Sequence, residues 1–284
     1  MRDLGRGSCF ERTRVHPAER AEGISKTVGF GNQSGMGVCA DGCEAEVLLL
    51  ILGAVGGNCV WVFWAEPLSM LGLFEWVTPE IVYRVRTELP EAALSFDDGP
   101  HPVFTPQVLD ILKEHDANAT FFLIGERAAR YPELVARIKA EGHEIGNHYI
   151  RDGATLGHSD DAFLGNLLET EKILGLAGGT KLFRAPGGLA WPRQLRLARA
   201  KGYTCVLGCA YPHDPMRPPV GYMHWLIRKN LRPGTIVILH DGISDARKSV
   251  QVLPDVLAAG REKGLRFVRV AELMRAERMQ GSRG

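Results

Sequence analysis

The 284-residue sequence predicts an α/β fold in which about seven parallel strands close into a (β/α) barrel. Short apolar runs alternate with helical periods from about residue 91 onward, in units of roughly 30 residues, as strand–crossover–strand repeats of a parallel sheet require. Seven units within about 190 residues favour closure over an open sheet. Five of the seven predicted strands also end in chemically competent polar residues, and a parallel barrel carries its chemistry at strand C-terminal ends.

Residues 1–46 are rich in Gly, Arg and Glu without helical or strand period, and they read as a disordered or extraneous N-terminal extension. Residues 47–65 form an uncharged apolar run long enough to cross a bilayer, with Trp61 and Trp64 as interfacial anchors. A single transmembrane or signal-anchor helix is the first reading; a signal sequence and a buried core element are the alternatives. Lys and Arg flanking the run do not decide its orientation. Residues 66–90 read as a juxtamembrane linker whose apolar beginning suits the membrane surface.

The catalytic-type domain is expected over 91–275, with a tail over 276–284. Its strands are predicted at 92–96, 119–124, 142–146, 181–184, 204–208, 235–239 and 265–268. Helices fall at 105–115, 132–141, 160–174, 192–201, 222–230 and 248–263. Pro132 and Pro192 suit first helical positions, where a missing N–H costs nothing.

A net charge of +1 and the lack of a basic patch with interleaved aromatics argue against a nucleic-acid partner. The six cysteines show no Cys-x-x-Cys pair and no zinc-finger spacing. Cys205 and Cys209, four positions apart along a strand and its exit, would stand roughly 13 Å apart, too far for a disulfide.

Chemistry gathers at the strand ends. The first strand runs into Asp97-Asp98-Gly99-Pro100; a solvated turn is one reading, but two adjacent carboxylates at a strand end also suit a site where a cation compensates one of them. His148 and Asp152, four residues apart, face one way if the segment turns like a helix, and with one Asp of the pair they make three ligands and an open position. Asp152 as a helix cap and His158 as a rival ligand remain open. A metal there would bring a water towards neutrality, the other carboxylate serving as general base. Arg184 would hold that base ionised, or merely bridge the barrel. His240, closing an apolar strand, suits a general acid, with Asp214 or Asp241 to raise its pKa. Pro186 and Tyr211, on neighbouring strand-end loops, are expected to touch substrate.

Ser95-Phe96-Asp97-Asp98-Gly99-Pro100, the run from Gly142 to His148, Phe183-Arg184-Ala185-Pro186 and Leu239-His240-Asp241 stand in the order and spacing of a known family. Over residues 91–275 the chain resembles the polysaccharide deacetylases with the NodB homology domain, carbohydrate esterase family four. The resemblance implies a distorted (β/α) barrel and metal-dependent removal of acetyl groups from polysaccharides such as chitin, peptidoglycan or xylan. It implies Asp97 as base, Asp98 and His148 as metal ligands, Arg184 as partner of the base, Leu239 as an acetate-pocket residue and His240 as general acid. Asp152 stands where the family usually has a second histidine. That harder donor set shifts preference towards Mn²⁺, Co²⁺ or Mg²⁺, with Zn²⁺ the default expectation. Tyr211-Pro212-His213-Asp214 replaces the family's Asp-Trp pattern, and Asp214 is the expected partner of His240.

The expectation is therefore a membrane-anchored or secreted hydrolase that deacetylates N-acetylglucosamine-containing polysaccharide. A non-catalytic carbohydrate-binding protein and an amidase of a small non-sugar substrate are the rival readings.

Overall fold

The computed structural model describes residues 68–281 apart from positions 154 and 177. The expected membrane run at 47–65 and the extension at 1–46 lie outside the described residues, and no described helix is long and apolar enough to cross a membrane.

The described chain begins with α1 (Leu68–Val77) and a two-residue strand β1 (Ile81–Val82). Next come β2 (Glu91–Gly99), α2 (Phe104–Glu114), β3 (Ala119–Leu123), α3 (Gly125–Arg130), α4 (Pro132–Ala140) and β4 (Glu144–Asn147). They are followed by α5 (Asp160–Leu174), β5 (Lys181–Phe183), α6 (Pro192–Ala200), β6 (Tyr203–Val206) and α7 (Val220–Asn230). The last elements are β7 (Ile236–His240), α8 (Arg247–Glu262), β8 (Arg266–Val268) and α9 (Val270–Gly281).

The strands form one eight-stranded sheet in the order β1-β6-β5-β4-β3-β2-β7, with β8 also beside β2, and every ladder is parallel. Bridges Ala210↔Val237 and Arg84↔Thr235 carry the residues following β6 and β1 onto β7. All seven expected strands are present with shifted ends. β1, too short to show a period, adds an eighth and draws residues before 91 into the sheet, while α9 runs past the expected boundary at 275. α1 and the six-residue α3 were also not expected. Pro132 and Pro192 do open α4 and α6.

Alternation along the strands sorts the core into two layers. Leu94 and Phe96 of β2, Phe121 and Leu123 of β3, and Val237 and Leu239 of β7 pack outward on Leu109 and Leu112 of α2 and Leu253 and Val256 of α8. Ala93, Phe122, Leu182, Val206 and Ile236 form a second cluster of opposite parity. Gly146 belongs to that inner parity, where a Cβ would stand 2.5 Å from the Phe122 ring. Cys205 and Cys209 are free, and burial pushes the Cys205 thiol up to about 12, so it behaves as a small apolar side chain.

Candidate active site

The inner parity of four strands delivers four functional side chains to one end of the barrel. Asp97 follows Ala93 and Ser95 on β2, and His240 follows Ile236 and Ile238 on β7. His148 lies just past β4, and Arg184 just past β5 shares the parity of Leu182. Asp97 and His240 are register partners on adjacent strands.

Arg184 is buried and spends its guanidinium on neighbouring elements. Nη1 donates to Asp97 Oδ1 at 2.6 Å and to Ser95 Oγ at 2.9 Å; Nε donates to the Val206 carbonyl at 3.0 Å and Nη2 to the Leu207 carbonyl at 2.6 Å. The guanidinium carbon lies 4.0 Å from the centre of the Phe122 ring. Burial lowers its pKa while the Asp97 carboxylate works against the shift.

Strand alternation alone would send Asp98 to the face opposite Asp97. Its backbone instead turns left-handed (φ 67°), at a register shift between Asp97 and Gly99. Aspartate tolerates this conformation better than most residues. The turn brings Oδ1 to 3.2 Å from His148 Nε2. Burial would raise the Asp98 pKa, but the hydrogen bond and charge of His148, with the charges of His240 and Arg127, hold it below the usual carboxylate value.

His148 Nδ1 lies 2.9 Å from the Arg184 carbonyl, which can only accept, so Nδ1 carries the proton. A neutral ring in that tautomer aims the Nε2 lone pair at the Asp98 carboxylate. Two acceptors facing each other are reconciled by protonating the ring or by a cation that takes both. Asp98 and His148 therefore fit two positions of a divalent-metal site, with a backbone carbonyl orienting the imidazole from behind.

The structure does not bring Asp152 to them. Tyr149 has φ 72°, and the chain from Arg151 to Gly153 is a bend, so the four-residue spacing does not follow a helical face. Asp152 is 67% exposed and faces Arg127 at 3.7 Å. No group of three or more His, Cys, Asp or Glu among the described residues is arranged to hold a metal ion. His158 hydrogen-bonds to the Tyr149 hydroxyl at 2.8 Å and, with Tyr149 and Asp152, lines a separate groove of about 430 Å³.

On the opposite side, Asp214 carries His240. Its Oδ1 lies 2.9 Å from His240 Nδ1, and its Oδ2 accepts the His240 backbone N–H at 2.7 Å and the Ser249 hydroxyl at 2.6 Å. Burial alone would lower the His240 pKa; Asp214, with smaller contributions from Asp97 and Asp98, pushes it up to about 9. The Tyr211 ring stands 5.9 Å from the His240 ring.

Two substrate-contact expectations are corrected. Leu239 points to the helical layer, because a strand residue adjacent to His240 must face the other way; Ile238, two residues before His240, takes the inner face. Counting the alternation back from His240 would have found it. Pro186 is buried at the start of a 3₁₀ turn and supports the loop rather than presenting a surface. Ser249 gave no local signal.

Asp241, the other candidate partner of His240, is buried behind the site, where it accepts a hydrogen bond from the Thr105 hydroxyl. Burial pushes its pKa up to about 7. The Asp241 and Gly242 amides both reach the Asp97 carbonyl at 3.3 Å. A Cβ on Gly242 would stand 1.9 Å from the Asp98 carbonyl oxygen, so only glycine allows this approach.

The family model described as "Polysaccharide deacetylase" matches residues 84–206. A peptidoglycan-N-acetylglucosamine deacetylase of Bacillus cereus is 40% identical over 201 residues, 70% of this chain and 94% of that protein. A chitooligosaccharide deacetylase of Sinorhizobium fredii is 37% identical, over 57% of this chain and 76% of its own. Among solved structures, a peptidoglycan N-acetylglucosamine deacetylase in complex with 4-naphthalen-1-yl-N-oxidanyl-benzamide superposes with a TM-score of 0.67 at 32% identity, covering 71% of this chain and 96% of that one. A family 4 acetyl xylan esterase from Clostridium thermocellum in complex with a cobalt ion gives a TM-score of 0.59 at 28% identity, over 65% and 90% of the two chains.

Proposed function

The chain belongs to the polysaccharide deacetylase family, and on that premise we propose that it hydrolyses the N-acetyl group of N-acetylglucosamine units in a glycan such as peptidoglycan or chito-oligosaccharide. The reading rests on one observation above all: Asp97, held by Arg184, and His240, held by Asp214, are register partners across adjacent strands.

Asp97 would serve as the general base, its carboxylate oriented by Arg184 Nη1 at 2.6 Å. It takes a proton as water adds to the amide carbonyl carbon. His240, protonated at neutral pH, gives its Nε2 proton to the leaving nitrogen as the C–N bond breaks. Acetate and a free amine result. Asp214 fixes the tautomer and orientation of His240 through both carboxylate oxygens. Asp98 and His148 would hold a divalent metal, whose Lewis acidity lowers the barrier to water attack. The cobalt ion of the acetyl xylan esterase supports a metal of this class, with Zn²⁺, Mn²⁺, Co²⁺ or Mg²⁺ as candidates. Tyr211, whose ring stands beside that of His240, and Ile238, on the same face of β7, would contact the acetyl group.

The apolar sequence at 47–65 supports anchoring to a membrane or secretion, as suits an enzyme of an extracellular polymer. The displaced Asp152 favours a second reading, a glycan-binding protein without turnover. Acetate release from chitin oligomers, peptidoglycan and xylan, with chelator and with each added metal, separates the two. Metal-dependent release from the first two substrates is expected; none from any substrate under any metal would overturn the enzymatic reading.

A further inference from the structure

Arg127 lies outside every motif that the sequence singles out, yet it touches both loops of the site. It stands on α3, and its Nη1 donates to the Asp98 carbonyl at 2.6 Å and to the Gly242 carbonyl. Both acceptors lie where a regular ladder is interrupted or has ended. The left-handed turn at Asp98 breaks the β2–β3 register, and the ladder resumes only where Gly99 accepts from the Ile124 amide at 2.9 Å. Gly242 lies beyond the end of β7. A buried or half-buried carbonyl without a partner is costly, so a turn of this kind holds only if a donor meets it.

We infer that Arg127 is a positioning residue for the deacetylation proposed above, clamping the irregular end of β2, which carries Asp98, to the loop that follows His240. The inference rests on that functional reading. One guanidinium group bridges the Asp98 and Gly242 carbonyls, while the Asp241 and Gly242 amides bind the Asp97 carbonyl. Together these bonds set the separation between the base on β2 and the acid on β7, and keep the Asp98 carboxylate turned towards His148. Both bonds leave the one Nη1, whose two N–H bonds are fixed in the guanidinium plane; a lysine ammonium carries donors enough for both carbonyls but on a flexible stem without that plane. The contact to Asp152 at 3.7 Å, on an exposed carboxylate, contributes little to this hold.

The test compares wild type with Arg127→Ala, Arg127→Gln and Arg127→Lys by steady-state acetate release from chito-oligosaccharide and by calorimetric titration with Co²⁺. For Arg127→Ala the expected result is a fall in kcat of about 100-fold, the usual effect of misplacing catalytic groups by an ångström. KM should stay within about twofold, since binding equal in ground and transition states is not what is lost. Co²⁺ affinity should fall with the loss of Asp98 orientation. Arg127→Lys should recover part of kcat, and millimolar guanidinium should partly rescue Arg127→Ala. Should Arg127→Ala not fold, Arg127→Gln and Arg127→Lys carry the same comparison. A kcat within about threefold of wild type, unchanged Co²⁺ affinity, or a loss confined to KM would overturn the assignment. Absence of acetate release by wild type would sink the functional reading instead, and the Co²⁺ comparison would still decide whether Arg127 holds Asp98.

Discussion

Two strand ends of this barrel carry a histidine and a nearby aspartate, and they turned out differently. At the end of β7, His240 meets Asp214 through both carboxylate oxygens, and Ser249 completes the carboxylate. Beyond β4, His148 meets Asp98, while Asp152, its expected companion, is turned outward to Arg127. The β7 end is gripped by amides on the Asp97 carbonyl, whereas past β4 the left-handed Tyr149 turns the chain, with the Tyr149 and Ile150 carbonyls accepting from the Gly125 and Glu126 amides. Spacing in sequence translates into geometry only where the backbone is regular.

The strongest way to break the comparison is at the base shared by both ends. Asp97→Asn should lower kcat by about 10²–10⁴-fold, as loss of a general base does, with metal content unchanged; wild-type acetate release by the purified variant would refute the assignment. Arg184→Met leaves Asp97 as an uncompensated buried carboxylate and should cost about 3–5 kcal/mol in chemical denaturation.

Asp214→Asn tests the β7 end through pH. A general acid must be protonated, so wild-type activity should fall as pH rises through about 9. Without Asp214 that alkaline limb should move towards the ordinary histidine value near 6.5. The same shift bears on stability. Because the folded pKa is raised, its stabilising contribution is complete below about 6.5 and is lost as pH rises through about 9. An alkaline limb unmoved in Asp214→Asn would detach His240 from the acid role.

Ile238→Ala and Leu239→Ala separate the two faces of β7. Leu239→Ala should cost about 2–5 kcal/mol of stability with kcat/KM little changed, while Ile238→Ala should raise KM; the reverse pattern would restore Leu239 to the pocket. The smallest effect is expected at the β4 end. Asp152→Ala should weaken Co²⁺ binding by less than about tenfold, below the range typical even for residues that support a metal ligand. Complete loss of binding would return Asp152 to the ligand role its spacing suggested.

Seven strands and the end of the barrel that bears the chemistry were legible because apolar runs and Gly-Pro breakers are local signals. Asp97, His148, Arg184 and His240 followed from them, since parallel topology brings such positions together. Ile238 was legible too, from a period of two counted back from His240. The rotation of Asp98 was not, because it depends on a register shift with β3. Ser249 and Thr105 reach their partners 35 and 136 residues away in sequence, and no local pattern reports such a bond. β1, with two residues, is too short for any period.

Arg184 ties activity to architecture. Its donors end on β2, on Asp97 and on the two carbonyls where β6 gives way to the segment that bridges to β7. The guanidinium thus joins β2 to the exit of β6, strands that are not neighbours in the sheet. Any change that shifts β2 against the exit of β6 is therefore felt at Asp97, so the ring and the carboxylate it holds are inherited as one unit.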